Sequence, residues 1–309
     1  MKRNITYALI ALASIQAHNI SAISSLKKIS SFLNGEQYEA TVHKEYPLSG
    51  DKKKVVTVTN IQGSIHITEW DQNTVVLYAI KKTSSVKNLK ALEVLVGQDV
   101  PGELTISTCY KDEDTKGAVD YTLIVPKGTT ITLVTEIGNI IAQGLSGSTH
   151  ATTTRGDIEL ANIEGTITAF TKEYGDITIA QAENDVKADT HNGKITIIDV
   201  QKNVLAASEH GKIEVTCKKL DNNAKLWLKT ISGNITVELA GTISASLEAK
   251  TERGCVTCEH DITITPFTTK LNNSAWKQFK QEVAGTLGND GNSHGNIKIQ
   301  TQKGNISVV

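Results

Sequence analysis

Gly156-Asp-Ile-Glu-Leu160, Gly175-Asp-Ile-Thr-Ile179, Gly193-Lys-Ile-Thr-Ile197, Gly211-Lys-Ile-Glu-Val215 and Gly233-Asn-Ile-Thr-Val237 are five versions of one phrase. Each has a glycine, a polar residue, then an apolar–any–apolar triplet. The glycines lie 19, 18, 18 and 22 residues apart. An earlier version, Gly-Asn-Ile-Ile-Ala, starts at Gly138, and later ones start at Gly254, Gly295 and Gly304. Alternation over a triplet is the period of a strand with one buried face, so Ile158, Leu160, Ile177, Ile179, Ile195 and Ile197 point inward. Glycine followed by Asp, Asn or Lys is turn chemistry.

Between these phrases runs a weaker one: Gly-Thr-Ile-Thr-Ala at Gly165, Asp-Val-Lys-Ala at Asp185, Asn-Val-Leu-Ala at Asn203 and Lys-Leu-Trp-Leu at Lys225. The unit is therefore strand, turn, strand, turn in about 18 residues. One such unit cannot bury its own apolar face, whereas stacked units bury a continuous one. The expectation is an all-β chain, a parallel β-solenoid over residues 136–309. The competing fold is an antiparallel sandwich, since Asn192-Gly193 could close a hairpin. A sandwich does not account for a constant period.

Outward from the repeat, residues 37–135 carry longer, irregular strands such as Val55–Thr59, Val75–Ala79 and Tyr121–Val125, read as an N-terminal β cap. Residues 266–294 interrupt the ladder as an insertion, with Trp276 and Phe279 on a short helical stripe. Composition agrees with an all-β reading. Thr, Ile and Val number 37, 33 and 22 of 309 residues, about 30% of the chain, and such side chains suit a pleated surface.

Lys2 and Arg3 precede an apolar run, Ile5 to Ile15, with small residues at Ala17 and Ala22. That is the pattern of a secretory signal over residues 1–17, too short to span a bilayer. The mature chain is expected to be exported, in the periplasm, at the cell surface or outside the cell, and not to span a membrane. Residues 18–36 read as a linker or short helix. The balance of 32 basic and 33 acidic residues argues against nucleic acid as a partner.

Few residues invite chemistry. Cys217 falls in the buried phase of its strand, and Cys255 and Cys258 point to opposite faces, so structural thiols are expected rather than a disulfide or zinc site. His191 and His210 sit at turns. Asp157 and Asp176 occupy one corner of successive units near Arg155 and Glu159, the arrangement a polysaccharide-cleaving β-helix or a calcium site would use. Lys194 and Lys212 take that corner next, which favours ordinary turns. No catalytic, cofactor or metal residues are assigned. Outward repeat positions read as Thr, Lys and Glu, with no stacking platform for a sugar. The candidate partner-binding residues are Lys81, Lys82, Lys87 and Lys90, four lysines without an acid in one loop, suited to an anionic cell-surface or envelope polymer.

The stretch Val58-Thr-Asn-Ile-Gln-Gly-Ser-Ile-His-Ile67 with Trp70-Asp71, then Tyr121-Thr-Leu-Ile-Val-Pro126, then the glycine ladder to Val309, resembles the putative-adhesin family of uncharacterised bacterial β-solenoid domains. The resemblance covers about Gln37 to Val309. It implies an envelope or secreted β-solenoid and supplies no catalytic motif. The functional expectation is a non-enzymatic adhesin or surface-interaction scaffold, the alternative a polysaccharide-binding or polysaccharide-cleaving β-helix protein.

Overall fold

The computed structural model describes residues 26–31, 35–48, 53–221, 223–240, 243–264, 280–288 and 295–309. The signal segment 1–17 lies outside them, as do Trp276 and Phe279. From the N-terminus, β1 (Leu26–Ser31) and β2 (Gly35–Pro47) pair antiparallel. Leu26–Ser31 is thus a strand, where a linker or helix was expected over 18–36. Next, β3 (Val55–Gln62) and β4 (Ile65–Trp70) make a rung, and β5 (Thr74–Thr83) returns antiparallel to β2. The helix α1 (Val86–Ala91) leads through β6 (Leu92–Gly97) to a rung of β7 (Glu103–Tyr110) and β8 (Ala118–Pro126).

Rungs then follow in succession: β9 (Thr130–Ile137) with β10 (Ile140–Leu145), β11 (Thr149–Arg155) with β12 (Ile158–Ile163), and β13 (Ile167–Tyr174) with β14 (Ile177–Ala182). After them come β15 (Val186–Asn192) with β16 (Ile195–Val200), β17 (Val204–His210) with β18 (Ile213–Cys217), and β19 (Lys225–Ser232) with β20 (Ile235–Leu239). The chain ends with β21 (Ala245–Arg253) and β22 (Val256–Cys258), β23 (Ile262–Ile264), β24 (Glu282–Leu287), and the pair β25 (Gly295–Lys303) and β26 (Ile306–Val308).

Each rung gives one strand to each of two 13-stranded sheets. Sheet A holds β4, the even members from β8 to β22 and β26, and sheet B holds β3, the odd members from β7 to β25 and β24. Neighbouring rungs pair in parallel register, for example Ile158 on Ile177 on Ile195 on Ile213 on Ile235. All five isoleucines are buried between the sheets. Each contributes roughly 1.5–3 kcal/mol by leaving water, and only stacking removes the whole row from solvent.

Two features depart from the sequence reading. The region 37–135 is not wholly an irregular cap, because β3 and β4 continue the parallel stack beside β9 and β10. The antiparallel strands β1, β2 and β5 extend sheet A, and β6 covers the edge of sheet B. At the other end the rungs are not in chain order. The final pair β25–β26 lies between β19–β20 and β21–β22. Gly295 therefore opens β25 beside Ala245 and is not a corner glycine, although its phrase matched the repeat.

Corner glycines of successive rungs touch: a Cβ on Gly156 would come within 3.0 Å of the carbonyl of Gly138. The Gly156 N–H instead donates to the Tyr174 carbonyl one rung on, at 3.0 Å. Inside the same corner, in the inward phase of sheet B, runs a polar row. Thr135, Thr153, Thr171, Thr190, Ser208, Thr230, Thr301 and Thr251 are buried and in register on sheet B. Their hydroxyls donate to corner carbonyls, as Thr153 to Gly138 (3.0 Å), Thr230 to Gly211 (3.1 Å) and Thr251 to Gly304 (2.8 Å). A buried carbonyl at a sharp corner needs such a donor. The row closes at the N-terminal end on Asn60, whose Oδ1 accepts from Thr108 Oγ1 (2.7 Å), which in turn takes the Tyr121 hydroxyl proton (2.7 Å). Burial pushes the Tyr121 phenol up to about 12.

Candidate functional site

The lysine segment is not a loop. Lys81 and Lys82 end β5, while Lys87 and Lys90 lie on α1, whose first turn is capped by Ser85 Oγ accepting from the Asn88 N–H at 3.1 Å. Lys81 is half-buried and its Nζ donates to the carbonyls of Leu89 (3.2 Å) and Leu92 (2.9 Å), tying off the helix C-terminus. Burial lowers its pKa. Lys82 pairs with Asp120 at 2.8 Å, and that hydrogen bond raises its pKa. Lys87 and Lys90 are the two of the four that are exposed, while Lys82 is partly exposed beside Asp120. Two of the predicted binding lysines therefore serve the fold.

The corner acids serve it too. Asp157 Oδ1 accepts the Asp176 N–H (2.9 Å), and Asp176 Oδ1 accepts the Lys194 N–H (2.7 Å). Asn139 plays the same part for Asp157, and Asn234 for Asn305. Arg155 pairs with Glu173 at 3.3 Å. Lys194 and Lys212 both pair with Glu214, and those bonds outweigh its desolvation and hold its carboxyl below the usual range. His191 and His210 lie side by side at the corner, ring centroids 6.0 Å apart, with His191 Nδ1 3.0 Å from Glu209. Among the described residues no three His, Cys, Asp or Glu side chains form a group able to hold a metal ion.

All four cysteines are free. Cys217 is buried, which pushes its thiol up to about 12 and leaves it unreactive. Cys255 is exposed. On the opposite corner, Asn162, Gln181 and Asp199 turn the chain with φ of 55°, 56° and 65°. They line a shallow groove of about 560 Å³ together with Glu69, Glu164 and Glu183. Glu69 is occupied by the N–H (2.9 Å) and hydroxyl (2.7 Å) of Ser146, and Asp199 pairs with Lys218.

The outer face of sheet B is different, and the sequence reading overlooked it. One outward row runs Lys187, Leu205, Trp227, Lys298 and Glu248, and the row beside it Phe170, Asp189, Ala207, Lys229 and Gln300. Trp227 is 51% exposed and Leu205 40%. Lys187 Nζ stands 5.2 Å from the Phe170 ring centroid, and the His150 ring meets Phe170 edge-on at 5.9 Å. Lys298 pairs with Glu248 at 3.0 Å. Half-burial raises the Asp189 pKa, against the pull of Lys187. The signal for this patch was present: in Lys225-Leu-Trp-Leu228 both leucines are inward, so Trp227 must face water.

Two parallel sheets built from two-stranded rungs, with corner glycines in contact and no closed barrel, define a two-sheet β-solenoid. The family model of Toastrack DUF4097 matches residues 36–309, and the chain belongs to that family. A comparison with curated proteins gave no match. Among solved structures the chain is similar to a putative cell adhesion protein from Clostridium sporogenes, with 11% identity over 87% of this chain and 98% of that one and a TM-score of 0.30. A putative adhesin from Bacteroides fragilis gives 10%, 87%, 97% and 0.43. A putative lipid binding protein from Parabacteroides distasonis gives 10%, 87%, 96% and 0.27.

Proposed function

We propose that this protein is an exported, non-enzymatic scaffold that presents a rigid β-solenoid for attachment at the cell surface or envelope. The observation that carries the proposal is the use made of the corner acids. Asp157 and Asp176, the pair that an acid–base mechanism would need, each accept a backbone N–H from the next rung. Export is supported by the basic and apolar residues from Lys2 to Ile15. Among the described residues no helix is long and apolar enough to cross a membrane.

The test has two arms. Fractionation of expressing cells should place the chain outside the cytosol, with its N-terminus near His18. Purified protein should sediment with cell-envelope material and should release no reducing ends from uronate polymers, with or without calcium. Turnover abolished by Asp176→Asn would overturn the proposal, and so would an intact Met1 on cytosolic protein.

A further inference from the structure

We infer that the outer face of sheet B around Trp227 is a binding surface for an acidic polysaccharide, laid along the solenoid axis; this rests on the scaffold reading above. Among the described residues with exposed large apolar side chains, Leu205 and Trp227 are the two that sit side by side in register. Adjacent rungs are roughly 4.8 Å apart, so Lys187, Leu205, Trp227 and Lys298 form a straight row in equal steps. Beside Leu205 the second row has only Ala207, between Asp189 and Lys229. A small side chain flanked by larger ones leaves a shallow hollow, walled by Trp227 and Leu205 and rimmed by charge.

The chemistry of the hollow selects a sugar chain. Trp227 offers a flat amphipathic face to the apolar side of a pyranose ring. Asp189 accepts hydroxyl protons, and Lys187 and Lys229 attract carboxylate or sulfate groups. Lys229 is exposed and has no ion pair assigned among the described residues, unlike Lys298, which has Glu248. A lipid surface fits less well, since among the described residues of this face around Trp227 only Leu205 and Trp227 itself are exposed large apolar side chains, too few to insert among acyl chains. A second copy docking face to face about a two-fold axis would bring lysines against lysines, and two apolar side chains fall far short of a stable interface.

The experiment uses the full chain and four probes: polygalacturonate, dextran sulfate, neutral dextran and anionic phospholipid vesicles. Either anionic polymer is expected to bind and to shift Trp emission, while dextran binds weakly. Trp227→Ala should weaken binding about tenfold or more. Lys229→Ser should weaken it less, with a smaller salt dependence. Lys87→Ser with Lys90→Ser should change neither. Trp227 and Lys229 are exposed, so circular dichroism and the melting temperature should be unaltered.

Four outcomes overturn the inference: no binding of either anionic polymer, dextran binding as tightly as dextran sulfate, vesicle binding alone, or a dimer that Trp227→Ala dissociates. If Trp227→Ala attaches to envelope material as the wild type does, the inference fails and the scaffold reading stands. If the wild type attaches to nothing, the scaffold reading fails.

Discussion

The touching corner glycines make Gly156→Ala a severe change at an unobtrusive site. Gly156 has φ 142°, a region costly for an L-residue, which alone carries about 1–3 kcal/mol. Its Cβ would also lie within 3.0 Å of the Gly138 carbonyl and the Asn139 side chain. The obstacle is backbone, so the rungs must part. Two hydrogen bonds cross this corner, Gly138 N–H to the Arg155 carbonyl (2.8 Å) and Gly156 N–H to the Tyr174 carbonyl (3.0 Å). Losing or stretching both adds about 1 kcal/mol each. The sum is about 3–5 kcal/mol, a large part of an ordinary domain's stability.

Gly144→Ala is the control. Gly144 also has positive φ, 64°, but nothing stands within 4 Å of its would-be Cβ, so only the strain of about 1–2 kcal/mol applies. Urea titration of both variants, followed by far-ultraviolet circular dichroism, reads the difference. Equal midpoints would refute the claim that the rungs meet backbone to backbone at this corner.

Three further outcomes are expected. Ile177→Asp puts an unpaired charge into the buried row and should abolish soluble expression, whereas Thr178→Asp, facing water beside Glu159 in register, should cost less than about 1 kcal/mol in a urea titration. Lys81→Ser removes the tie on α1 and should lower the melting temperature, while Lys87→Ser with Lys90→Ser should leave it unchanged in a thermal scan. The Tyr121 phenol is raised from 10.0 to about 12, so its protonated form is favoured by folding: its contribution to stability should be level below pH 10 and fall by about 3 kcal/mol towards pH 12. Cys217, raised from 9.0 to about 12, adds to the fall from pH 9, and Tyr121→Phe should flatten its phenolic part in denaturant titrations at stepped pH.

The repeat was legible because its causes are local. Ile158 or Ile195 shows its inward phase by alternation, and a glycine before Asp or Lys marks a corner. What was not legible depends on neighbours distant in sequence. The phrase at Gly304 matches that at Gly233 but does not say which rung it joins, so the intercalation of Gly295–Val308 could not be read. Thr153 and Thr190 fall in the inward phase of Ala151 and Ala188, but nothing nearby in sequence shows that a corner carbonyl awaits their hydroxyls. Lys81 reads as a surface charge because its acceptors, the carbonyls of Leu89 in α1 and of Leu92 just after it, are placed by a helix that the segment was not expected to form. Trp227 is legible from phase within its strand, between the inward Leu226 and Leu228, although the low aromatic content of the chain gives no hint of it.

The order of the rungs is the most exposed claim about the fold, and one pair of cysteine substitutions tests it. Lys229 and Gln300 are register partners on neighbouring strands, whereas Lys250 lies one strand further, beyond Gln300. Adjacent strands, roughly 4.8 Å apart, are within disulfide reach, and strands two steps apart are not. In a Cys255→Ser background, oxidised Lys229→Cys/Gln300→Cys should form an intramolecular disulfide seen by mass spectrometry of non-reduced peptides. Lys229→Cys/Lys250→Cys should not. A disulfide in the second protein and none in the first would show rungs stacked in chain order, contradicting the intercalated C-terminal pair.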